Sequence, residues 1–198
     1  TPNHYFIMCE IPVTQGMYDI IMKDMVNKTS PNLPANHLNW IDCLKFCNQL
    51  SSVLGLEKVY TIHSSSVEYN KEANGYRLPF ESEWIWAAKA NNNYVYSGSN
   101  DISKVAWYKD NSREKLQAVR GKDPNAFGLY DMSGNILEWC ADSFASSGNF
   151  NSKKAKGLLK GGSAFDLDSY ALIKTRVNAN PGTKLNRYGF RFVRSIII

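Results

Sequence analysis

The sequence predicts a single α+β domain, with two helices in its first half and short antiparallel strands in its second half. Three observations support this prediction. The chain has 198 residues, 43% of them hydrophobic, which is enough for one packed core. Apolar residues recur at helical spacing before residue 90 and partly alternate along short runs after it. Polar, Gly and Asn segments separate those runs, as expected for strands joined by long irregular loops.

Two helices are predicted from their periodicity and their ends. The first covers residues 39–54, where Asn39 is placed to cap the N-terminus, Asp42 lies near the positive end of the helix dipole, and Gly55 is placed to end the helix. The second covers residues 81–90, ESEWIWAAKA, which repeats apolar residues at helical spacing and has acids in its first turn. These helices should form one side of the core.

Short runs with partial alternation predict the strands of the second half. They are VAWY at 105–108, LLK at 158–160, YALIKTRV at 170–177 and GFRFVRSI at 189–196. Because their connections are long and irregular, we expect a small antiparallel sheet with extended loops.

The cysteines do not follow the spacing of a zinc site. Cys9, Cys43, Cys47 and Cys140 include no CxxC pair, so a metal framework is not predicted. Cys43 and Cys47 lie four residues apart on the first helix and share its apolar stripe. We therefore interpret them as small buried hydrophobic residues.

The charge gives little support for a nucleic-acid partner. The formal net charge is +5, and a basic cluster consists of Lys153, Lys154, Lys156 and Lys160. No nucleic-acid-binding motif accompanies it, so we expect a solvated loop and no nucleic-acid partner. No apolar run reaches the roughly 20 residues that a membrane helix requires. A lipid-anchoring segment removed before residue 1 stays an alternative.

Four motifs, in order along the chain, resemble a known family. They are IPVTQGMYDIIM at 11–22, GYRLPFESEWIWAAK at 75–89, NAFGLYDMSGNILEWCAD at 125–142, and KGGS at 160–163 followed by GFRF at 189–192. Together they are similar to the formylglycine-generating-enzyme branch of the C-type lectin fold. The resemblance covers nearly the whole chain. It implies one domain over residues 1–198, with an opening strand and first helix in 11–22.

Within these motifs, most chemistry-bearing residues are interpreted as structural. Trp139 is large enough to fill the core, and the charges of Arg77 and Glu138 are expected to be held by ion pairs or backbone hydrogen bonds. Phe80 occupies the position where the family usually has a capping Ser or Thr. A structural calcium ion near Asn135 and Glu138, as the family can hold, stays an alternative.

The main difference between this sequence and the family's enzymes is at the position of their redox centre. Its enzymes use two cysteines after the GGS turn as copper ligands, and their positions correspond in this chain to Asp166 and Ala171. Residues 161–198 contain neither cysteine nor histidine. We therefore expect a protein without enzymatic activity and without a cofactor, with a formylglycine-generating oxidase as the alternative.

The segment from 161 to 192, which we call the C-terminal segment, resembles that of the variable proteins of diversity-generating retroelements. In that group, retroelement mutagenesis rewrites this part of the chain between fixed residues. Gly161, Gly162, Gly189 and Phe190 are predicted to be fixed turns and anchors. The positions predicted to bind ligand are Ala164, Phe165, Asp166, Asp168, Ser169, Tyr170, Lys174, Asn178, Asn180, Lys184, Asn186, Arg187 and Tyr188.

The resemblance implies a display protein at the cell surface or secreted, with a hypervariable binding segment. We expect a monomer that binds a protein or a glycan through that segment, and we expect Phe165, Asp166, Tyr170, Asn178, Asn186, Arg187 and Tyr188 to face solvent. The alternative is a lectin-like adhesin with a fixed binding site.

Overall fold

The computed structural model describes residues 2, 4–23, 30–144 and 156–196. Its helices are α1 (Gln15–Met22), α2 (Trp40–Val53), α3 (Glu81–Lys89), α4 (Ile102–Val105) and α5 (Lys109–Ser112). Its strands are β1 (Phe6–Met8), β2 (Tyr60–Ile62), β3 (Val67–Tyr69), β4 (Tyr76–Arg77), β5 (Ala106–Trp107), β6 (Ser133–Gly134), β7 (Leu137–Trp139), β8 (Gly157–Lys160), β9 (Val177–Ala179), β10 (Tyr188–Gly189) and β11 (Val193–Ser195). Two 3₁₀ turns cover Ala141–Phe144 and Asp168–Tyr170. This mixture of few helices and short strands confirms the predicted fold class.

The first helix implied for residues 11–22 is α1, whereas the opening strand β1 lies before that range. The helix predicted over 39–54 is α2, and its N-terminal capping box is formed. Asn39 Oδ1 accepts a hydrogen bond from the Asp42 backbone N–H at 2.9 Å, and Asp42 Oδ2 accepts one from the Asn39 N–H at 3.0 Å. Gly55 follows the helix with φ of +69°, a backbone conformation that favours glycine. Both predicted boundaries are therefore confirmed to within one residue.

The second predicted helix is α3, and acids replace the missing cap hydroxyl. Phe80 makes no side-chain cap, as predicted, but its N–H donates to Glu83 Oε2 at 2.7 Å. The Glu81 N–H donates to the carboxylate of Asp142. Burial raises the pKa of Asp142, while this backbone hydrogen bond opposes the rise. The N-terminus of α3 is thus held by Asp142, which lies in the 125–142 motif, 61 residues further along the chain.

A mixed four-stranded sheet has the order β10-β7-β8-β9, and a second sheet has the order β1-β11-β4. The predicted antiparallel arrangement is wrong for β10 and β5, which pair in parallel with β7 and β6. Three strand predictions were also wrong in part. The run 189–196 is divided between the end of β10 and β11, which belong to different sheets. Residues 170–177 form turns up to 176, because Ala171 and Ile173 enter the core singly from irregular backbone and only β9 pairs with β8. The strand predicted over 105–108 is shorter, because Val105 is the last residue of helix α4. Asp101 caps that helix by accepting a hydrogen bond from the Ser103 N–H.

Three tryptophans and two ion pairs occupy the interior. Trp40, Trp84 and Trp139 are buried, which confirms the placement of Trp139 in the core. Trp139 Nε1 donates to the Leu38 carbonyl at 3.0 Å, so its polar atom is satisfied. Within the described residues, no helix has both the length and the apolar character needed to span a bilayer.

The two interior ion pairs confirm the structural interpretation of Arg77 and Glu138. Arg77 donates to both oxygens of Glu83 at 2.6 and 2.7 Å. Glu138 accepts from Arg191 at 2.8 to 3.0 Å and from Trp84 Nε1 at 2.7 Å. All four charged groups are at most 2% exposed, so each charge relies on its partner.

Candidate ligand-binding face

The two ends of the C-terminal segment are held on either side of one strand. Strand β8, which precedes the segment, pairs with β7 in antiparallel register, and β10, near its end, pairs with β7 in parallel register. The connection from β8 therefore passes through β9 on one side and returns across the sheet to β10 on the other. The sheet therefore fixes where the segment begins and ends, and most of the residues between lie outside its strands.

Gly162 permits a close approach at the start of the segment. Its φ is +72°, and a Cβ placed there would lie 2.7 Å from the Tyr170 carbonyl carbon. Any side chain would thus push the 168–170 turn away. At the other end, Phe190 is fully buried and contacts the Phe46 ring edge-on, with ring centroids 5.2 Å apart. Gly161, Gly162 and Phe190 are therefore placed as predicted, whereas Gly189 lies in strand β10 and not in a turn.

Eight of the thirteen predicted ligand-binding residues are exposed. We call these eight the exposed set: Asp168, Ser169, Tyr170, Lys174, Asn178, Asn180, Lys184 and Asn186. Phe165 and Arg187 are partly exposed. Leu167, which is not among the predicted positions, is 54% exposed beside the 168–170 turn. Its position between two aspartates in a loop is the signal that could have identified it.

Ala164, Asp166 and Tyr188 are buried, so the predicted exposure of Asp166 and Tyr188 was wrong and Ala164 is not placed to contact a ligand. Ala164 is fully buried and its carbonyl accepts from Ser112 Oγ. Asp166 accepts hydrogen bonds from Ser163 Oγ and from Arg187 Nη1, the latter at 2.6 Å. Tyr188 packs edge-on against Trp139, with ring centroids 5.4 Å apart. The burial of these three residues depends on contacts with residues far along the chain, and the polarity of the neighbouring sequence does not indicate it.

Ion pairs tie the exposed loops to the scaffold. Asp166 and Arg187 join the beginning and end of the segment, 21 residues apart. Lys184 Nζ lies 2.7 Å from Asp42 Oδ2 at the start of α2. Arg176 Nε lies 3.0 Å from Glu81 Oε1 at the start of α3. These contacts restrain the loops, which lowers the entropic cost of presenting their side chains to a partner.

The prediction that Lys160 lies in a solvated basic loop was wrong. It is fully buried, and its Nζ donates to the Thr175 carbonyl at 2.6 Å and lies 3.6 Å from Glu81 Oε1. Burial lowers its pKa, and Glu81 opposes that shift. Lys156 is exposed, whereas Lys153 and Lys154 lie outside the described residues.

The positions of the family's copper ligands have structural roles in this chain. Asp166 is in the ion pair with Arg187, and Ala171 is 1% exposed. Cys43, Cys47 and Cys140 are fully buried, which confirms the predicted placement of Cys43 and Cys47, and burial raises the pKa values of all three thiols. Because the thiolate is the form that binds metal, such thiols are poor ligands as they stand.

The two side chains named for a calcium site are engaged by protein groups. Asn135 Oδ1 accepts from the Gln117 N–H at 3.0 Å, and its Nδ2 donates to Asp131 at 3.1 Å. The Glu138 oxygens accept from Arg191 and Trp84. Among the described residues no cluster of three acidic, histidine or cysteine side chains is arranged to hold a metal ion. The structure therefore provides no support for calcium at these two residues.

Comparison with known proteins agrees with this geometry. From residue 4 to residue 196 the chain matches the sulfatase-modifying factor enzyme 1-like domain. The chain belongs to this family. Its structure is similar to that of Treponema denticola variable protein 1, with a TM-score of 0.86 and 29% identity, over 96% of this chain and 84% of that one. The family resemblance seen in the motifs is thus confirmed.

Two relatives by sequence also show the range of the family. The chain is 30% identical to the chaperone protein LppX of Paenibacillus barcinonensis, covering 63% of this chain and 60% of that protein. It is 29% identical to inactive C-alpha-formylglycine-generating enzyme 2 of Mus musculus, covering 61% and 44%. Proteins named formylglycine-generating enzyme are also relatives, at 24% identity. The chain therefore spans less than two thirds of the length of these relatives.

Proposed function

We propose that this chain is a non-enzymatic display domain that binds a protein or a glycan through the exposed set. One observation carries the proposal: eight solvent-facing residues lie on the turns, loops and short strand β9 of a segment whose two ends are buried beside β7. Tyr supplies contact area at low entropic cost, and Asn, Ser and Asp supply adaptable hydrogen bonds, a composition typical of evolved binding surfaces. The likeness to a variable protein supports it further.

The proposal extends to variation, location and assembly. The C-terminal segment is rewritten by a diversity-generating retroelement, and the domain acts as a monomer at the cell surface or after secretion, with a lipid anchor as one means of attachment. Sequencing the neighbouring DNA tests the first part. A reverse transcriptase gene and a near-duplicate of the coding sequence after residue 160 are expected. A locus without either would favour a fixed adhesin.

A randomised library tests whether the exposed set is a binding surface. We would randomise Asp168, Tyr170, Lys174, Asn178, Asn180 and Asn186 in the full chain and select for binding to hen egg-white lysozyme. The matched library randomises six exposed positions outside the segment: Lys45, Ser52, Val53, Lys58, Glu68 and Lys71. Binders should emerge from the first library with melting temperatures within a few degrees of the parent.

The control library decides the interpretation. Equal enrichment from both libraries, or binders that have lost cooperative unfolding, would contradict a dedicated display surface.

The oxidase alternative is supported by the formylglycine-generating enzymes among the relatives. Conversion of cysteine to formylglycine in a sulfatase peptide, with copper added and followed by mass spectrometry, would establish that alternative and overturn the proposal.

A further inference from the structure

A cavity lies beside the C-terminal segment, between helix α3 and residues 172–176. Its volume is about 700 Å³, within the range of roughly 300 to 1,000 Å³ typical of small-molecule sites. The apolar part of its wall is formed by Ile85, Tyr94, Val95, Leu172 and Ile173. Tyr94 and Val95 are 41% and 49% exposed, so apolar surface is open to solvent at the entrance.

The carboxylates that line the cavity are already engaged. Glu81 lies 3.0 Å from Arg176 Nε and 3.6 Å from the buried Lys160 Nζ, so two cations face one carboxylate. Asp142 accepts the N–H of Glu81 at the positive end of α3. Neither acid therefore offers an unopposed negative charge to a bound molecule.

Two lysines at the rim are not engaged in this way. Lys89, in the last turn of α3, and Lys174, in the C-terminal segment, both line the cavity and are exposed. In the part of the chain that the structure describes, neither ammonium group has an acidic partner within 4.0 Å. An apolar wall with unopposed cations at its rim is complementary to a molecule with an apolar body and an anionic group.

We propose that this cavity binds a small amphipathic organic anion, with its apolar body against Ile85, Val95 and Leu172 and its anionic group beside Lys89 and Lys174. The ligand is thus small and distinct from the macromolecule bound by the exposed set. Lys174 is the one residue that belongs to both. Substitutions in the other seven residues of the exposed set should therefore leave binding in the cavity intact.

The test uses the fluorescent anion 8-anilinonaphthalene-1-sulfonate with the full chain, displaced by decanoate or by the neutral 1-decanol. We expect saturable binding at one site, with decanoate the stronger competitor. The double variant Lys89→Gln/Lys174→Gln should weaken decanoate by about three- to tenfold, the effect of losing two partly exposed charge interactions. Its affinity for 1-decanol should stay unchanged, because the apolar wall is intact.

Matched variants make the outcome decisive. Lys45→Gln/Lys58→Gln removes the same charge from exposed positions away from the cavity and should leave decanoate binding unchanged. Val95→Trp and Ser82→Trp fill the cavity from exposed positions and should weaken both competitors, with cooperative melting retained. Absence of saturable binding, equal losses in the two lysine pairs, or full binding in both Trp variants would each overturn the proposal.

Discussion

The C-terminal segment contains two kinds of region that differ in how their charges are held. Near its end, Arg191 is fully buried and donates to Glu138 and to the carbonyls of Cys9, Glu10 and Tyr130. In its middle, residues 165–187 alternate exposed polar side chains with single buried anchors. Tolerance to substitution therefore depends on which groups lose a partner, and sequence position alone does not determine it.

Replacing Arg191 should cause the largest loss of stability. Arg191→Met leaves the buried Glu138 charge with fewer partners and removes the guanidinium donors to the Cys9 and Tyr130 carbonyls, so we expect a loss of about 3 to 5 kcal/mol in the free energy of unfolding. Urea denaturation measures it. Arg120→Met is the control, because Arg120 pairs with Glu10 at 2.7 Å on the surface and should cost at most about 1 kcal/mol. Similar costs for both variants would contradict the distinction between buried and exposed pairs.

The Arg77–Glu83 pair should give a pH-dependent effect of nearly the same size. Burial opposes ionisation of Glu83, but hydrogen bonds and charge from Arg77 outweigh it and lower the pKa below the ordinary 4.5. The stability from this group is therefore complete above pH 4.5 and is lost as pH falls through the lowered pKa. Glu83→Gln should cost about 3 kcal/mol at pH 7.

That pH profile has its own control. The stability difference between the parent and Glu83→Gln should shrink as pH falls from 5 towards 3, measured by urea denaturation at each pH. Glu68→Gln changes an exposed carboxylate that pairs with His63, and should show a much smaller difference. A Glu83→Gln difference that did not change with pH would show that the lost interaction does not depend on the charge.

At Gly162 the expected effect is smaller and comes from backbone contact. Gly162→Ala places a Cβ 2.7 Å from Tyr170 at φ of +72°, so we expect a loss of about 2 kcal/mol or more. Gly55→Ala is a matched control, because Gly55 has φ of +69° and nothing within 4 Å of a Cβ. Because both glycines have a positive φ, the difference between the melting temperatures of the two variants measures the cost of the steric contact with Tyr170. Equal shifts would show that the turn at 168–170 can move away freely.

Much of the scaffold could be predicted from the sequence because its signals are local. Asn39, Asp42 and Gly55 mark both ends of α2, and the motif around Trp139 places that side chain in the core. The burial of Asp166 could not be predicted, since its partner Arg187 lies 21 residues away. Lys160 was misassigned for the same reason: the neighbouring lysines suggest solvent, but Glu81 and the Thr175 carbonyl hold it inside.

The Asp166–Arg187 pair lies between the two regions, and its loss should have an intermediate effect. Asp166→Asn removes the charge that holds Arg187, whose side chain is 37% exposed, so we expect a cost of about 1 kcal/mol. Asp168→Asn changes an exposed aspartate in the adjoining turn and should be nearly neutral. Thermal melting measures both. If Asp168→Asn were the more costly change, the ion pair would not be what holds this turn.

The smallest effect on stability is expected from the exposed set itself. Tyr170→Ser, Asn178→Ala, Lys184→Ala and Asn186→Ala should each shift the free energy of unfolding by about 0.5 kcal/mol or less, because these side chains are exposed. Lys184 is the most demanding case, since it pairs with Asp42 at 2.7 Å, but its side chain is half exposed and the pair is weak.

Tyr188→Ala is the contrast: the ring is 5% exposed and packs on Trp139, so about 3 kcal/mol should be lost. Differential scanning calorimetry of the combined fourfold variant and of Tyr188→Ala compares the two kinds of position within one segment. Unfolding of the fourfold variant at a much lower temperature would mean that these loops stabilise the fold, and that their residues are not free to vary for binding.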